Sequence, residues 1–157
     1  MIEAFNSNTD IHSVTASKVF GVPLEEITSE LRSKAKAVNF GIVYGIGAFS
    51  LSKDIKTTRS EAESFIKSYL SLYSGVDKYM KECIVSAKEN GYVETLLHRR
   101  RYLPELSSSN GMIRAFGERV ARNMPIQGTA ADIIKLAMIN VDRRIRKEGL
   151  KSRMILQ

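Results

Sequence analysis

Arg32-Ser-Lys-Ala-Lys-Ala-Val-Asn-Phe-Gly-Ile-Val-Tyr-Gly45 is the stretch whose reading decides the rest of this chain. It contains no proline, and its first glycine is Gly41. Thr28 is placed to cap a helix, and Glu30 falls in the first turn, where a negative charge suits the helix dipole. On a 3.6-residue wheel, Leu31, Ala35, Val38 and Ile42 line up as a core-facing stripe. Arg32, Lys36, Phe40 and Tyr44 recur every four residues and form a second row, roughly 150° from the first and ~18 Å long.

That row runs from a forked cation to a point cation and then to two aromatic rings. A nucleoside triphosphate has the same order of parts: anionic phosphates, a sugar, a flat base. Arginine offers paired planar donors to a terminal phosphate, and lysine a compact charge to a phosphate nearer the sugar. An aromatic ring one turn further on can stack against sugar or base. The plainer reading is that the cations are merely solvated and the rings pack on a neighbouring helix. Four residues in register opposite a complete apolar stripe favour the ligand.

Arg32, Lys36, Phe40, Tyr44 and Gly45 together resemble motif B of the family A DNA polymerases, which lies on the nucleotide-binding helix of the fingers. The resemblance extends from about Ala4 through Gln157. It implies a fingers subdomain over residues 10–110, with a central nucleotide-binding helix at about 28–46. It also implies an exit segment of the palm at 1–9 and a partial palm at 111–157. The fold expected is mainly α with a small β-hairpin, cut from an α+β parent.

Composition agrees with a nucleic-acid partner. The 157 residues carry a net charge of +7, and 43% are hydrophobic against 26% charged. From Arg32 to Arg59 six cations face one anion, Asp54, a local excess of five. Polyanions are the natural partners of such a surface. Cys83 is the single cysteine, which excludes an intrachain disulfide, and His12 and His98 are too far apart for a zinc signature. No apolar run approaches the length of a membrane span and the N-terminus is no signal peptide, so no membrane partner is expected and the reducing cytoplasm is the default compartment. The resemblance makes that compartment bacterial and nucleoid-associated.

In chain order, residues 1–9 are short and polar after Ile2 and Phe5, and nothing caps or completes them. Asp10 is a natural N-cap for a helix that Gly21 stops. The family has a recurrent Asp-Ile-His here, and the resemblance makes His12 a ligand of the triphosphate tail; taken alone it reads as a surface or capping histidine. Thr58 or Ser60 starts a further helix, which Tyr73-Ser74-Gly75 ends, and another spans Val76 to Asn90, closed by Asn90-Gly91. A hairpin is expected at about 92–103, with strands Tyr92–Leu97 and Arg101–Leu103 turning at His98–Arg100. Arg99-Arg100-Arg101 is either a soluble turn or a phosphate clamp. The family carries a similar segment near the DNA, and His98 stands where many members have glycine.

From Met112 a long helix is expected to reach about Lys147, kinked or broken near Pro125, which has no backbone donor. Arg119, Asn123 and Gln127 recur at four-residue spacing and could read minor-groove edges or simply sit in solvent. By resemblance they contact primer and template, with Arg99, Arg100 and Arg114 as further DNA-binding residues. Ile133, Ile134, Ala137, Met138, Val141 and Ile145 form an apolar face in want of a partner, which predicts aggregation or self-association. A strand is expected at 152–157.

The resemblance implies template-directed DNA synthesis in replication and repair, on primer-template DNA and deoxynucleoside triphosphates. His12, Arg32, Lys36, Phe40, Tyr44 and Gly45 then bind the nucleotide. Lys36 and Arg32 are the catalytic side chains, with Lys36 placed to protonate the departing pyrophosphate. Phe40 packs on the sugar and predicts discrimination against chain terminators lacking the 3′ hydroxyl. Two Mg2+ ions serve the parent enzyme, held by carboxylates of motifs A and C. Neither motif is found here, so the chain reads as an internal fragment, without metal ligands and inactive by itself, separated from its palm, thumb and exonuclease regions. The alternative is a non-enzymatic, basic, helical nucleic-acid-binding module.

Overall fold

Thr28 starts the helix that carries the cation–aromatic row: its hydroxyl accepts from the Leu31 amide at 3.2 Å, and α3 runs Ser29–Val43. The computed structural model describes residues 2–155. The other helices are α1 (Ile2–Asn6), α2 (Ile11–Phe20), α4 (Ala48–Asp54), α5 (Arg59–Leu72), α6 (Ser74–Asn90) and α7 (Gly111–Lys147). β1 (Tyr92–Glu94) and β2 (Arg100–Tyr102) make the two-stranded sheet. This is the mainly helical fold with one hairpin that the sequence implied. The chain divides into two compact units, Met1–Val85 and Ser86–Gln157.

The first unit is built on the apolar stripe of α3. Val38 and Ile42 pack with Leu51, Ile55, Ala62, Tyr69, Tyr73 and Met80 in one buried cluster. The starts of α2, α3 and α5 are capped by the residues their sequence offers. Asp10 accepts from the Ser13 amide at 2.8 Å, and Thr58 with Glu61 forms a reciprocal capping box.

α3 stops before Tyr44, one turn short of the expected boundary. Gly45 has φ +76°, its amide bonds the Ile42 carbonyl, and the Ile46 amide bonds the Gly41 carbonyl at 2.7 Å. This is the left-handed helix stop in which the chain's second residue beyond the cap returns to the last turn. A Cβ at Gly41 would lie 2.8 Å from Ile46 Cγ2, so the bare glycine is what lets that return close. Tyr44 is thereby the cap residue and Gly45 lies outside the helix.

Tyr69 is fully buried, and its hydroxyl has no hydrogen-bond partner among the described residues. Burial, with Tyr73 beside it, pushes its pKa up to about 12. An unpaired buried hydroxyl costs about 1–3 kcal/mol. Tyr69→Phe is therefore expected to stabilise the chain by about 1 kcal/mol, read as a Tm a few degrees higher in thermal unfolding. A lower Tm would show that the hydroxyl is satisfied in solution.

In the second unit β1 pairs antiparallel with β2 in the register Tyr92–Tyr102, Val93–Arg101, Glu94–Arg100. The strands are shorter than expected because the reversal occupies Thr95 to Arg99. The Thr95 amide bonds the Arg99 carbonyl at 3.0 Å, and the His98 amide bonds the Thr95 carbonyl at 2.9 Å. His98 sits at φ +62°, the left-handed region that glycine enters without cost.

α7 passes through Pro125 without a break, against the expectation of an interruption. The proline brings no N–H to the helix ladder. The following turn is tied both within the helix and to the hairpin: the Thr129 hydroxyl donates to the Pro125 carbonyl and accepts from the Leu96 amide at 3.0 Å. Further along, Ile133, Leu136, Ile139 and Val141 stand exposed, so this stretch of helix presents uncovered apolar surface.

Without a cap in its sequence, α1 forms with Glu3 in its first turn and the Ser7 hydroxyl on the Glu3 carbonyl. Two more expectations differ from the structure. Gly75 lies inside α6 rather than ending α5. The expected strand at 152–157 does not appear over 152–155, where no other described segment pairs with it, and Leu156 and Gln157 lie outside the described residues.

Candidate functional site

In the first unit the row predicted from spacing is exposed as predicted. Arg32 and Lys36 face solvent, and Phe40 and Tyr44 are each 46% exposed. Lys36 Nζ lies 5.9 Å from the Phe40 centroid, and the Phe40 and Tyr44 rings stack at 6.2 Å with an interplanar angle of 14°. Gly45 follows directly, at the left-handed stop.

α2 supplies a second wall. His12 stands 5.6 Å from the Phe40 ring, centroid to centroid. Asp10 receives Arg32 in a paired contact, Nε to Oδ2 at 2.9 Å and Nη2 to Oδ1 at 3.0 Å. The guanidinium and the Ser13 hydroxyl hold the Asp10 carboxyl far below its ordinary range. Burial pushes the His12 imidazole down, helped by Arg32 and Lys36 and opposed by Asp10. At neutral pH the surface around the row thus carries two cations, one carboxylate and a neutral histidine.

The Asp10–Arg32 pair has a pH signature. Asp10 titrates below its unfolded value of 3.8, so its contribution is complete above that pH and is lost as pH falls toward the folded pKa. Asp10→Ala removes both the helix cap and a largely exposed ion pair, together about 1 kcal/mol. The Tm difference between wild type and variant is expected to be constant from pH 7 to about 5 and to shrink below about 4. A difference unaffected by acid would mean the carboxylate carries no favourable charge interaction.

The second unit treats its predicted residues unequally. Arg99 Nη2 bonds Asp132 Oδ1 at 2.9 Å and the Gly128 carbonyl at 3.1 Å, tying the hairpin to α7. Arg100 pairs with Glu94 at 3.1 Å and lies over the Tyr92 ring at 4.4 Å. Arg114 Nη1 closes the preceding loop on the carbonyls of Ser108 and Ser109 at 2.8 Å each. These three arginines shape the protein itself, though Arg99 and Arg100 keep 46% and 51% of their side-chain surface exposed. Arg119 and Gln127 are exposed on α7, whereas the Asn123 side-chain oxygen is buried without a partner among the described residues. Gly128 makes room for the hairpin: a Cβ there would lie 2.7 Å from Thr95 Cγ2.

Sequence reasoning missed the partners. Asp10 was legible as a cap but not as the counter-ion of a residue 22 positions away. Asn39, inside the central stretch between the stripe residues Val38 and Ile42, is buried, and a buried amide demands a partner. No group of three or more His, Cys, Asp or Glu among the described residues is placed to hold a metal ion, so these residues do not fit a divalent metal site. No helix among them is long and apolar enough to cross a membrane.

Comparison with known proteins gives a single answer. The family model for DNA polymerase family A matches residues 1–157. DNA polymerase I of Bacillus subtilis is 54% identical, and that of Geobacillus stearothermophilus 52%, each over all 157 residues. The chain spans 18% of the length of either relative. Among solved structures, the POL domain of Pol1 from M. smegmatis, in complex with DNA primer-template and dNTP, superposes with a TM-score of 0.93 at 48% identity. That match covers the whole of this chain and 28% of the other.

Proposed function

The chain belongs to DNA polymerase family A, and on that premise we propose that it supplies the nucleotide-binding helix and part of the DNA grip of a template-directed DNA polymerase. The observation that carries the reading is the exposed row Arg32–Lys36–Phe40–Tyr44 with His12 beside it. The similar POL domain was solved with a dNTP and primer-template, which supports the same ligands here.

On this reading Arg32 and His12 hold the outer phosphates, and Lys36 a phosphate nearer the sugar. Arrival of a triphosphate competes with Asp10 for the donors of Arg32, a charge-assisted exchange of one anion for another. Phe40 packs on the sugar, and Tyr44 with Gly45 marks the position of the templating base. Lys36 donates a proton to the leaving pyrophosphate, whose charge grows as the bond breaks. Arg119, Asn123 and Gln127 contact the duplex, and the exposed surfaces of Arg99 and Arg100 its backbone, with Arg114 holding the loop that leads into α7. The same reading assigns two Mg2+ ions to carboxylates outside residues 1–157, and cellular work at the bacterial chromosome. The 157 residues alone are expected to extend no primer.

A chimaera tests this. The matching 157 residues of the Bacillus subtilis DNA polymerase I are replaced by this chain and primer extension is assayed. Extension by the chimaera that fails with Lys36→Ala supports the reading. A folded chimaera that binds DNA but extends nothing would leave a basic binding module as the better account.

A further inference from the structure

Behind the exposed row of α3 lies a chain of polar side chains in an otherwise apolar core. Thr15 is fully buried, Asn39 is 7% exposed and Tyr73 8%. The Thr15 hydroxyl donates to Asn39 Oδ1 at 3.2 Å. Its proton is then spent, so at the 3.2 Å contact with Tyr73 it is the phenol that donates. With Asn39 Oδ1 thus occupied, its amide group points at His12 Nδ1, 2.9 Å away. An amide N–H can only donate, so Nδ1 must accept and the imidazole proton must sit on Nε2.

We propose that Asn39 is a positioning residue which, backed by Thr15 and Tyr73, locks His12 as the Nε2–H tautomer so that it presents a neutral hydrogen-bond donor to a phosphate oxygen. The inference rests on the triphosphate reading of the row and adds to it a residue that does not itself touch the nucleotide. Neutrality follows from the surroundings as well. Arg32 and Lys36 lie on the α3 side of His12 and Asp10 on its own helix, and burial together with the two cations disfavours a third positive charge. A histidine left to itself would divide its proton between both nitrogens, and half-placed donors bind phosphate poorly. The lock removes that loss and makes the contact independent of pH near neutrality.

Imidazole 15N NMR on the chimaeric polymerase reads the His12 tautomer directly, and titration with dATP reads the phosphate contact. Wild type is expected to show Nδ1 unprotonated and Nε2 protonated, with the Nε2 signal shifting on dATP and the affinity flat between pH 7 and 8.5. Asn39→Asp keeps the shape but turns the donor into an acceptor. It is expected to move the proton to Nδ1, raise the His12 pKa, and make dATP affinity fall about tenfold as pH rises through that pKa. Thr15→Val leaves Asn39 in place but unbacked, and is expected to give a mixed tautomer. It serves as the reporter if the buried aspartate prevents folding. Wild-type His12 carrying its proton on Nδ1, or a tautomer unchanged in both variants, overturns the proposal. A locked tautomer whose Nε2 signal ignores dATP overturns the triphosphate reading of the row, while the relay behind it stands.

Discussion

Lys36→Ala in the chimaeric polymerase is expected to lower kcat for nucleotide incorporation by about 10²–10³, the usual consequence of deleting one donor aimed at developing charge. Among the described residues no carboxylate pairs with the Lys36 ammonium, in contrast to Arg32, which Asp10 holds at 2.9 Å. Its charge is therefore unspent until a phosphate arrives. Charge on the departing oxygen is greater in the transition state than in bound substrate, so the loss should fall on kcat and on kcat/KM alike. Arg32→Ala should act differently. It removes a contact made before and during the reaction, and so should chiefly raise KM. Lys36→Arg keeps the charge but replaces a compact ammonium by a planar fork, and should recover only part of the activity. Steady-state and single-turnover incorporation of one nucleotide decide the matter. A Lys36→Ala enzyme within threefold of wild type would remove Lys36 from the reacting phosphates.

Leu51→Ala is expected to cost about 3 kcal/mol of stability, within the usual range for a buried leucine cut to alanine. Leu51 is fully buried on α4 and shares one core cluster with Val38 and Ile42, on the inner face of the helix whose outer face carries the row. The neighbours include two ring residues, Tyr69 and Tyr73, packed edge to face at 4.9 Å, which resist collapse into a new void. For a unit of this size the loss corresponds to a fall in Tm of about 15 °C. Phe49→Ala, on the same helix but 60% exposed, should change stability by less than about 0.5 kcal/mol. Thermal unfolding followed by circular dichroism separates the two. Equal effects would mean that α4 does not pack as described.

Both faces of α3 were legible from residue spacing. The period of 3.6 is a property of the backbone, so Ala35, Val38 and Ile42 had to fall on one side and Arg32, Lys36 and Phe40 on another. Helix starts at Asp10, Thr28 and Thr58 were equally legible, because a cap bonds an amide three residues on. Helix ends were read less well. Tyr44 falls outside α3 because Gly41, Gly45 and Ile46 close the stop together, and no single one of them announces it.

α7 runs on through Pro125, and Leu96 and Arg99, some 30 residues earlier in the chain, tie its next turn at Thr129 and Gly128 to the hairpin. A helix read by itself would be expected to break there. The same holds for charge. Sequence marked Arg99, Arg100 and Arg114 as cations available to DNA, and the tertiary structure engages all three with Asp132, Glu94 and backbone carbonyls. The amino-acid sequence by itself determined which residues are donors, cations and rings, and which share a helical face, because those follow from local geometry. Only the tertiary structure decided which donors remain free and which proton His12 keeps, because a hydrogen-bond partner is a fact of proximity between segments that the chain order leaves far apart.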